Sequence, residues 1–521
     1  MSDPFELPLS RTVWEHKYRH LGDRETDADI GACRARVARA LATVEADPAN
    51  WEVRFEELLE DFRFLPGGRI LAGAGTGRQV TLYNCFVMGT VEDSLDGIFD
   101  ALKEGALTMQ QGGGVGYDFS TLRPSGSAAR SHGAVASGPV SFMRIWDSMC
   151  ATLLSTGDRR GAMMGTLRCD HPDIEDFIEA KRDPLQLRNF NLSVLLTDDF
   201  MEAVEADSDW PLVFPVAETG SDTAAIVQRR WPGYAAEIPC RVFRRIRARD
   251  LWERLLRASF DCAEPGVLFI DRINAANNLG YREQISATNP CGEVPLPPYG
   301  ACDLGSLNLV HFVRRPYERD AAVDWAGLEA ATAVAVRLLD NVVDVSAYPL
   351  EAQAVQARGS RRIGLGITGL ADALIMLGLY YDSDAARELA AEIMRCLRDA
   401  AYQASIELAQ EKGPFPYLDK ALYLKSAFVQ HLPAGLRDAI ARHGIRNSHL
   451  LAIAPAGSIS LLANNVSNGL EPAYGFEYRR KLRQPDGSFT EYSVTDYAWR
   501  HYRQHHPSGP LPEAFVDALS L

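Results

Sequence analysis

Apolar positions in residues 1–60 recur at helical spacing, with Trp14, Tyr18, Ile30, Val37, Leu41 and Val44 marking the inward side. The pattern predicts a short amphipathic helical region. From about Phe62 onward, short apolar runs alternate with longer helix-periodic stretches. The runs 83–87, 115–119, 191–195, 267–270 and 450–454 predict strands. The stretches 94–110, 250–262, 325–339 and 385–411 predict helices. The last follows Asp382-Ser383, good N-cap residues, and stops at Gly413-Pro414. Such alternation predicts an α/β fold over residues 61–521. The polar stretches 207–223 and 481–489 read as surface excursions, and there is no internal repeat or low-complexity linker.

A length of 521 residues exceeds one simple core. No apolar run is long enough to cross a bilayer, so no membrane association is expected. The opening MSDPFELPLS has neither a basic nor an apolar signal region, which points to the cytoplasm. The formal net charge is −15, with no basic block above that background, which argues against a grip on a nucleic-acid polymer. The nine cysteines form no CxxC pair, so neither structural disulfides nor a metal site is expected.

Asn289-Pro290-Cys291-Gly292-Glu293 carries the most chemistry. It sets an amide, a thiol and a carboxylate two residues apart, so in extended chain all three line one wall. A carboxylate beside a thiol keeps it protonated. That suits a thiol that gives up a hydrogen atom more than a thiolate nucleophile, which wants a cationic neighbour. Prolines 290, 295, 297 and 298 exclude a helix and predict a stiff loop, 289–309, holding Cys291 and Cys302 near one site. Cys85 sits on the 83–87 run and can reach that loop. Paired with Cys302 it would form a dithiol, although Cys169 or Cys262 would serve as alternative partners.

Pro455-Ala456-Gly457-Ser458-Ile459-Ser460 follows an apolar run and opens a helix-compatible one, which gives an anion site or an ordinary N-cap. Gly112-Gly113-Gly114-Val115-Gly116 lacks dinucleotide and P-loop spacing, and reads as a helix end that allows tight packing. Arg159-Arg160, in a Gly-bounded loop, and Arg123 are candidate contacts to a nucleotide triphosphate. His171 has no second histidine at ligand spacing and reads as structural.

Together these stretches resemble ribonucleotide reductase large subunits, most closely the adenosylcobalamin-dependent class. The likeness rests on Asn84-Cys85-Phe86-Val87, 112–124, 159–164, 189–193, 265–271, 289–309, 361–370, 455–460 and 467–472. The resemblance implies a ten-stranded α/β barrel with Cys291 at the tip of a central finger loop, walled off from solvent inside a closed sheet. It implies that Cys291 becomes a thiyl radical and abstracts the ribose 3′-hydrogen. Glu293 would take the 3′-hydroxyl proton, Asn289 would bond the substrate hydroxyls, and Cys85 and Cys302 would end as a disulfide. Asn84, Pro455, Ala456, Gly457, Ser458 and Ser460 would hold the ribonucleotide substrate. Asp93, Arg123, Arg159 and Arg160 would bind a deoxynucleotide or ATP effector at a homodimer contact, with a thioredoxin-type protein as reductant.

Three departures qualify the likeness. The N-terminal region is too short for an ATP cone. Ala456 stands where relatives often carry threonine. Relatives also run on past the equivalent of residue 521, which leaves a separate C-terminal subunit, a fragment or a shortened variant as readings. The alternatives are a reductase subunit served by a separate metal radical subunit, or a nucleotide-binding chain that needs a C-terminal partner for activity.

Overall fold

The computed structural model describes residues 4–22, 26–127, 135–153, 161–216, 225–483 and 488–521. Its centre is a sheet of eight strands, curled as a half-barrel: Phe64–Pro66, Cys85–Val87, Gly114–Asp118, Met163–Arg168, Phe190–Leu196, Gly266–Phe269, Ala301–Asn308 and Ile363–Thr368. Five of them, from Cys85–Val87 to Gly266–Phe269, run parallel as neighbours. Ala301–Asn308 lies antiparallel to Cys85–Val87 and parallel to Ile363–Thr368. Phe64–Pro66 pairs with the far end of Ala301–Asn308. Most of these strands are buried along their whole length, as expected where a parallel sheet is covered on both faces.

The α/β class and the N-terminal helical region are as expected. Helices Pro8–Lys17, Ile30–Ala42 and Pro48–Leu59 fill the first 60 residues and share one apolar core with the sheet. The predicted helices appear as Leu95–Gln110, Ala248–Cys262, Trp325–Val345 and Asp384–Lys412. Ser383 caps the last by accepting from Ala386 N, and Gly413 ends it.

Several expectations change. Eight strands, not ten, are present among the described residues, and Gly266–Phe269 is paired there on one side only. The stiff loop is shorter than 289–309, because Ala301–Asn308 is a buried central strand. Its prolines all precede residue 300, and burial on both faces erases the alternation that would have marked it. Met163–Arg168 and Ile363–Thr368 are further strands that the pattern did not single out. The expected 450–454 strand shrinks to one bridge, Leu451 opposite Leu365. Beyond it, Pro455 has no N–H to extend a ladder. The polar stretches hold strands instead of loops: Asp209–Pro215 joins a three-stranded sheet through buried Trp210, Leu212 and Val213, and Glu477–Arg483 pairs with Phe489–Thr495.

The glycine run lies under the 289–300 loop. A Cβ on Gly116 would stand 1.8 Å from the Thr288 carbonyl oxygen, and one on Gly114 would stand 3.0 Å from the Pro290 ring. This strand is glycine-rich because another backbone crosses it at contact distance.

Candidate active site

Ala287–Thr288 pairs antiparallel with Pro295–Leu296, so residues 289–294 form the tip of a narrow hairpin projecting across the sheet. Asn289 builds the tip. Its Oδ1 accepts from Val294 N at 2.9 Å, and its carbonyl accepts from Gly292 N at 3.0 Å. Gly292 has φ +87°, a conformation that glycine adopts without strain. Asn191, on the neighbouring strand, donates from Nδ2 to the Pro290 carbonyl at 2.6 Å and ties the tip to the sheet.

The tip brings the expected groups together. Asn289 Nδ2 lies 2.6 Å from Glu293 Oε2 and 3.2 Å from Cys85 Sγ, and Cys85 Sγ lies 3.8 Å from Glu293 Oε1. Cys85 is directly opposite Cys302 in the strand register. Val87 N donates to Gly300 O two residues along, so Cys85 and Cys302 are also a hydrogen-bonded pair, with Cα atoms roughly 5.5 Å apart. A disulfide spans that distance without moving the strands. None of the nine cysteines is in a disulfide. Burial pushes the Cys302 thiol well above its ordinary pKa; Asp303 and Glu293 add to this and Arg362 opposes it. Cys302 is therefore held protonated.

Cys291 is exposed, which corrects the expectation of a sulfur walled off from solvent. Among the described residues the eight-stranded sheet ends at Gly266–Phe269 without closing. The thiol nonetheless lines a cleft. Asn84, Cys85, Asn289, Pro290, Cys291 and Glu293 line it together with Ala454, Pro455, Ala456 and Ile459. Its enclosed part holds about 90 Å³. That is below the ~300–1,000 Å³ of sites that enclose a whole drug-sized ligand.

The 455–460 turn enters helix Gly457–Leu462 beside that mouth. Gly457 faces open space, and Ser458 Oγ accepts a hydrogen bond from Lys17 Nζ at 2.8 Å. Ser460 differs from expectation. It is buried, with Oγ 2.9 Å from Gly457 O and 2.6 Å from Asn468 Oδ1, and it braces the turn from behind. Asp93 and Arg123, expected separately, form an ion pair with Arg123 Nε 2.9 Å from Asp93 Oδ2. Arg159 and Arg160 lie outside the described residues. His171 is structural: it is buried, its pKa is lowered to about 4, and its ring bridges Leu122 O and Asp173 N.

Sequence reasoning missed Asn191 and Lys17. Asn191 belongs to a stretch that carried the family likeness, but nothing in its spacing gave it a role. Lys17 reads as one more polar position ending an amphipathic helix.

Comparison with known proteins agrees with this geometry. Residues 83–505 match the family model described as ribonucleotide reductase, barrel domain, and residues 7–79 match ribonucleotide reductase, all-alpha domain. A vitamin B12-dependent ribonucleoside-diphosphate reductase of Mycobacterium tuberculosis is 40% identical over 488 residues, covering 92% of this chain and 64% of that protein. One from Thermoplasma acidophilum is 36% identical, covering 91% of this chain and 56% of that protein. A ribonucleoside-diphosphate reductase subunit alpha of Chlamydia muridarum is 28% identical, over 84% and 44%. The chain thus spans less than two thirds of the length of these relatives. With both family domains matched in order and Cys85 and Cys291 set in one cleft, the chain belongs to the ribonucleotide reductase family.

Proposed function

We propose that this chain carries the catalytic cleft of a ribonucleotide reductase, turning ribonucleoside diphosphates into 2′-deoxyribonucleotides as DNA precursors. The observation that carries the reading is convergence. The exposed Cys291 thiol, Cys85 and the Asn289–Glu293 pair line a single cleft together with the 455–456 turn, and Cys302 stands opposite Cys85 in the strand register.

In this reading Cys291, as a thiyl radical, takes the 3′-hydrogen of the ribose and later returns it. Glu293 accepts the 3′-hydroxyl proton, held in place by Asn289. The 2′-hydroxyl leaves as water. Cys85 and Cys302 give up two protons and two electrons and become a disulfide, so one C–O bond is exchanged for one C–H bond and one water is released. Asn84, Pro455, Ala456, Gly457 and Ser458 hold the nucleotide, and Ser460 supports that turn from behind. A thioredoxin-type protein restores the dithiol, and the cytoplasm is the compartment that keeps it reduced. No described helix is long and apolar enough to cross a membrane.

The names of the two B12-dependent relatives favour adenosylcobalamin as cofactor. The donor set fits a metal that arrives already chelated. Among the described residues no group of three or more His, Cys, Asp or Glu could hold a bare ion, and exposed Cys291 leaves a large rigid group free approach. Pro290, Cys291 and Gly292 would meet that group. When bound, it supplies the oxidising equivalent through its cobalt–carbon bond.

Two partners complete the proposal. The remaining length of the relatives, on this or a second polypeptide, would cover the side left open at Gly266–Phe269, where Phe260, Val267 and Phe269 are exposed. A second copy would pack on helix Leu95–Gln110, with a deoxynucleotide or ATP effector bound near Asp93, Arg123 and the 159–160 pair. Residues 1–60 and 61–521 are proposed as the helical and barrel regions.

The test is anaerobic incubation with labelled ribonucleoside diphosphate, adenosylcobalamin and a dithiol, with and without the complementing polypeptide. Deoxynucleotide is expected from wild type. Cys291→Ser should reduce product to background while nucleotide binding stays within about twofold of wild type, because a hydroxyl does not carry the radical equivalently. Normal turnover by that variant would reject the reading.

A further inference from the structure

The two thiols of the strand pair are not equally reachable. Cys85 lines the cleft, whereas Cys302 does not line it and is 1% exposed. Once the two form a disulfide, an external thiolate meets Cys85 Sγ and expels Cys302. Such an exchange is faster the lower the pKa of the leaving thiol. Burial and Asp303 push the Cys302 thiol up, and Glu293 adds to this, so Cys302 alone is a poor leaving group.

Arg362 stands where it can relieve this. Cys302 and Arg362 immediately precede Asp303 and Ile363, the first paired residues of two neighbouring parallel strands. A Cβ on Gly364 would stand 3.0 Å from Cys302 Sγ, so the thiol lies on the face toward which Gly364 points. In extended chain Arg362, two residues earlier, shares that face. Cys85, Cys302 and Arg362 thus form one row across three strands. The Arg362 side chain is buried. Its Nη2 donates to Glu283 Oε1, and Glu283 Oε2 accepts from Gln356 Nε2 at 2.8 Å. Its Nη1 is buried without a hydrogen-bond partner, so the guanidinium keeps donor capacity inside the protein. Its charge also acts on the Cys302 thiol, against burial and the two carboxyls.

We propose that Arg362 is a positioning residue for re-reduction of the Cys85–Cys302 disulfide, holding the transient negative charge on Cys302 as that sulfur is released. The proposal rests on the dithiol reading given above. One thiolate of an external dithiol attacks Cys85 Sγ, the Cys85–Cys302 bond breaks, and Cys302 leaves with the electron pair and then takes a proton. The second external thiol loses its proton and attacks the external sulfur of the mixed disulfide, and Cys85 leaves in turn and is protonated. The external dithiol is oxidised by two electrons to its disulfide, and the protein pair is reduced by two.

The experiment oxidises the full chain with diamide, exposes it to dithiothreitol at neutral pH for timed intervals, traps thiols with N-ethylmaleimide and reads the Cys85 and Cys302 peptides by mass spectrometry. Arg362→Gln should slow reduction of this disulfide roughly tenfold. Arg362→Lys should restore most of the rate, and Glu283→Gln, which keeps the cation, should not slow it. The double variant Arg362→Gln/Glu283→Gln removes both charges of the buried pair and should be as slow as Arg362→Gln; it serves if the single variant does not fold. The position of equilibrium with dithiothreitol should stay at the wild-type value in every variant, because both protein thiols are protonated at rest and the cation acts only on the transient thiolate. Brief treatment with a monothiol, glutathione, should leave its adduct on Cys85. Equal reduction rates in wild type and the variants without the cation, a slower rate matched by an equal shift in equilibrium, or an adduct on Cys302 would each overturn the role of Arg362. Failure of wild type to form the Cys85–Cys302 disulfide would overturn the dithiol reading and Arg362 with it.

Discussion

Cys85, Cys302 and Asn289 show what one residue can and cannot announce from sequence. Asn289-Pro290-Cys291-Gly292-Glu293 announced its own chemistry, because spacing alone fixes which side chains can share a wall. The partner of Cys302 was not legible that way. Cysteines 169 and 262 stand as alternatives to Cys85 until register places Cys85 opposite, and Cys169 instead lies buried beside Thr197. The contact of Lys17 with Ser458 was illegible because the two lie 441 positions apart. With the strand pair as the electron source, Cys302→Ser should lower sustained turnover with a dithiol reductant to background and leave nucleotide affinity intact. An unchanged steady-state rate would refute the pair. Asp118 gives a pH prediction at the same scale. Burial raises its carboxyl to about 6, opposed by bonds from Ser120. Its unfolded value is about 3.9. Between those values the native state keeps a proton that the unfolded chain has lost. Stability therefore falls as pH rises from about 4 to about 6, by roughly 3 kcal/mol, and levels off above that. Asp118→Asn removes the titration and keeps the acceptor for Ser120. Its advantage in urea midpoint over wild type should grow across that window and then stay constant; a difference independent of pH would reject the assignment.

Elements were legible where one face meets water. The long helices carry a clear apolar stripe, and their ends follow ordinary caps such as Ser94 and Ser383. Strands buried on both faces gave weaker signals, and Ala301–Asn308 was hidden behind the prolines before it. The glycine-rich Gly114–Asp118 strand was read correctly as a place of close packing, and the crossing hairpin supplies the reason. Gly116→Ala would drive a methyl into the Thr288 carbonyl. It should cost about 3 kcal/mol or more in stability and displace the loop tip, which lowers turnover as well. Gly435→Ala is the control. It lies in helix Ala434–His443 with no atom within 4 Å of an added Cβ, so it should stabilise by about 0.5–1 kcal/mol. Thermal melts of the two variants should move in opposite directions. Equal shifts would mean that the hairpin yields to the strand, and that the glycine is not what lets the loop sit so low.

At the scale of the whole molecule, the sheet and helices leave apolar surface that a lone chain has no use for. On helix Leu95–Gln110, Ile98, Ala101 and Met109 face the core, while Leu95, Phe99 and Leu107 are exposed on another side. Helix Pro139–Thr152 packs beside it and presents partly buried Phe142, Ile145 and Met149. Three large exposed apolar side chains on one helix are more than scattered surface hydrophobics require, and rims of Asp96, Asp100 and Lys103 frame them as at a protein interface. A two-fold contact would set the same stripe against itself, the usual economy of a homodimer. Phe99 is the largest of the three and sits between the other two along the helix, where truncation of an aromatic anchor costs most. Phe99→Lys places a charge opposite its own copy across such an axis. Sedimentation velocity should then show wild type as a dimer and the variant as a monomer with an unchanged far-ultraviolet spectrum. Because the proposed effector site lies beside this contact, effector nucleotide should deepen dimerisation of wild type and fail to rescue the variant. Identical sedimentation of the two proteins would remove this helix from the interface.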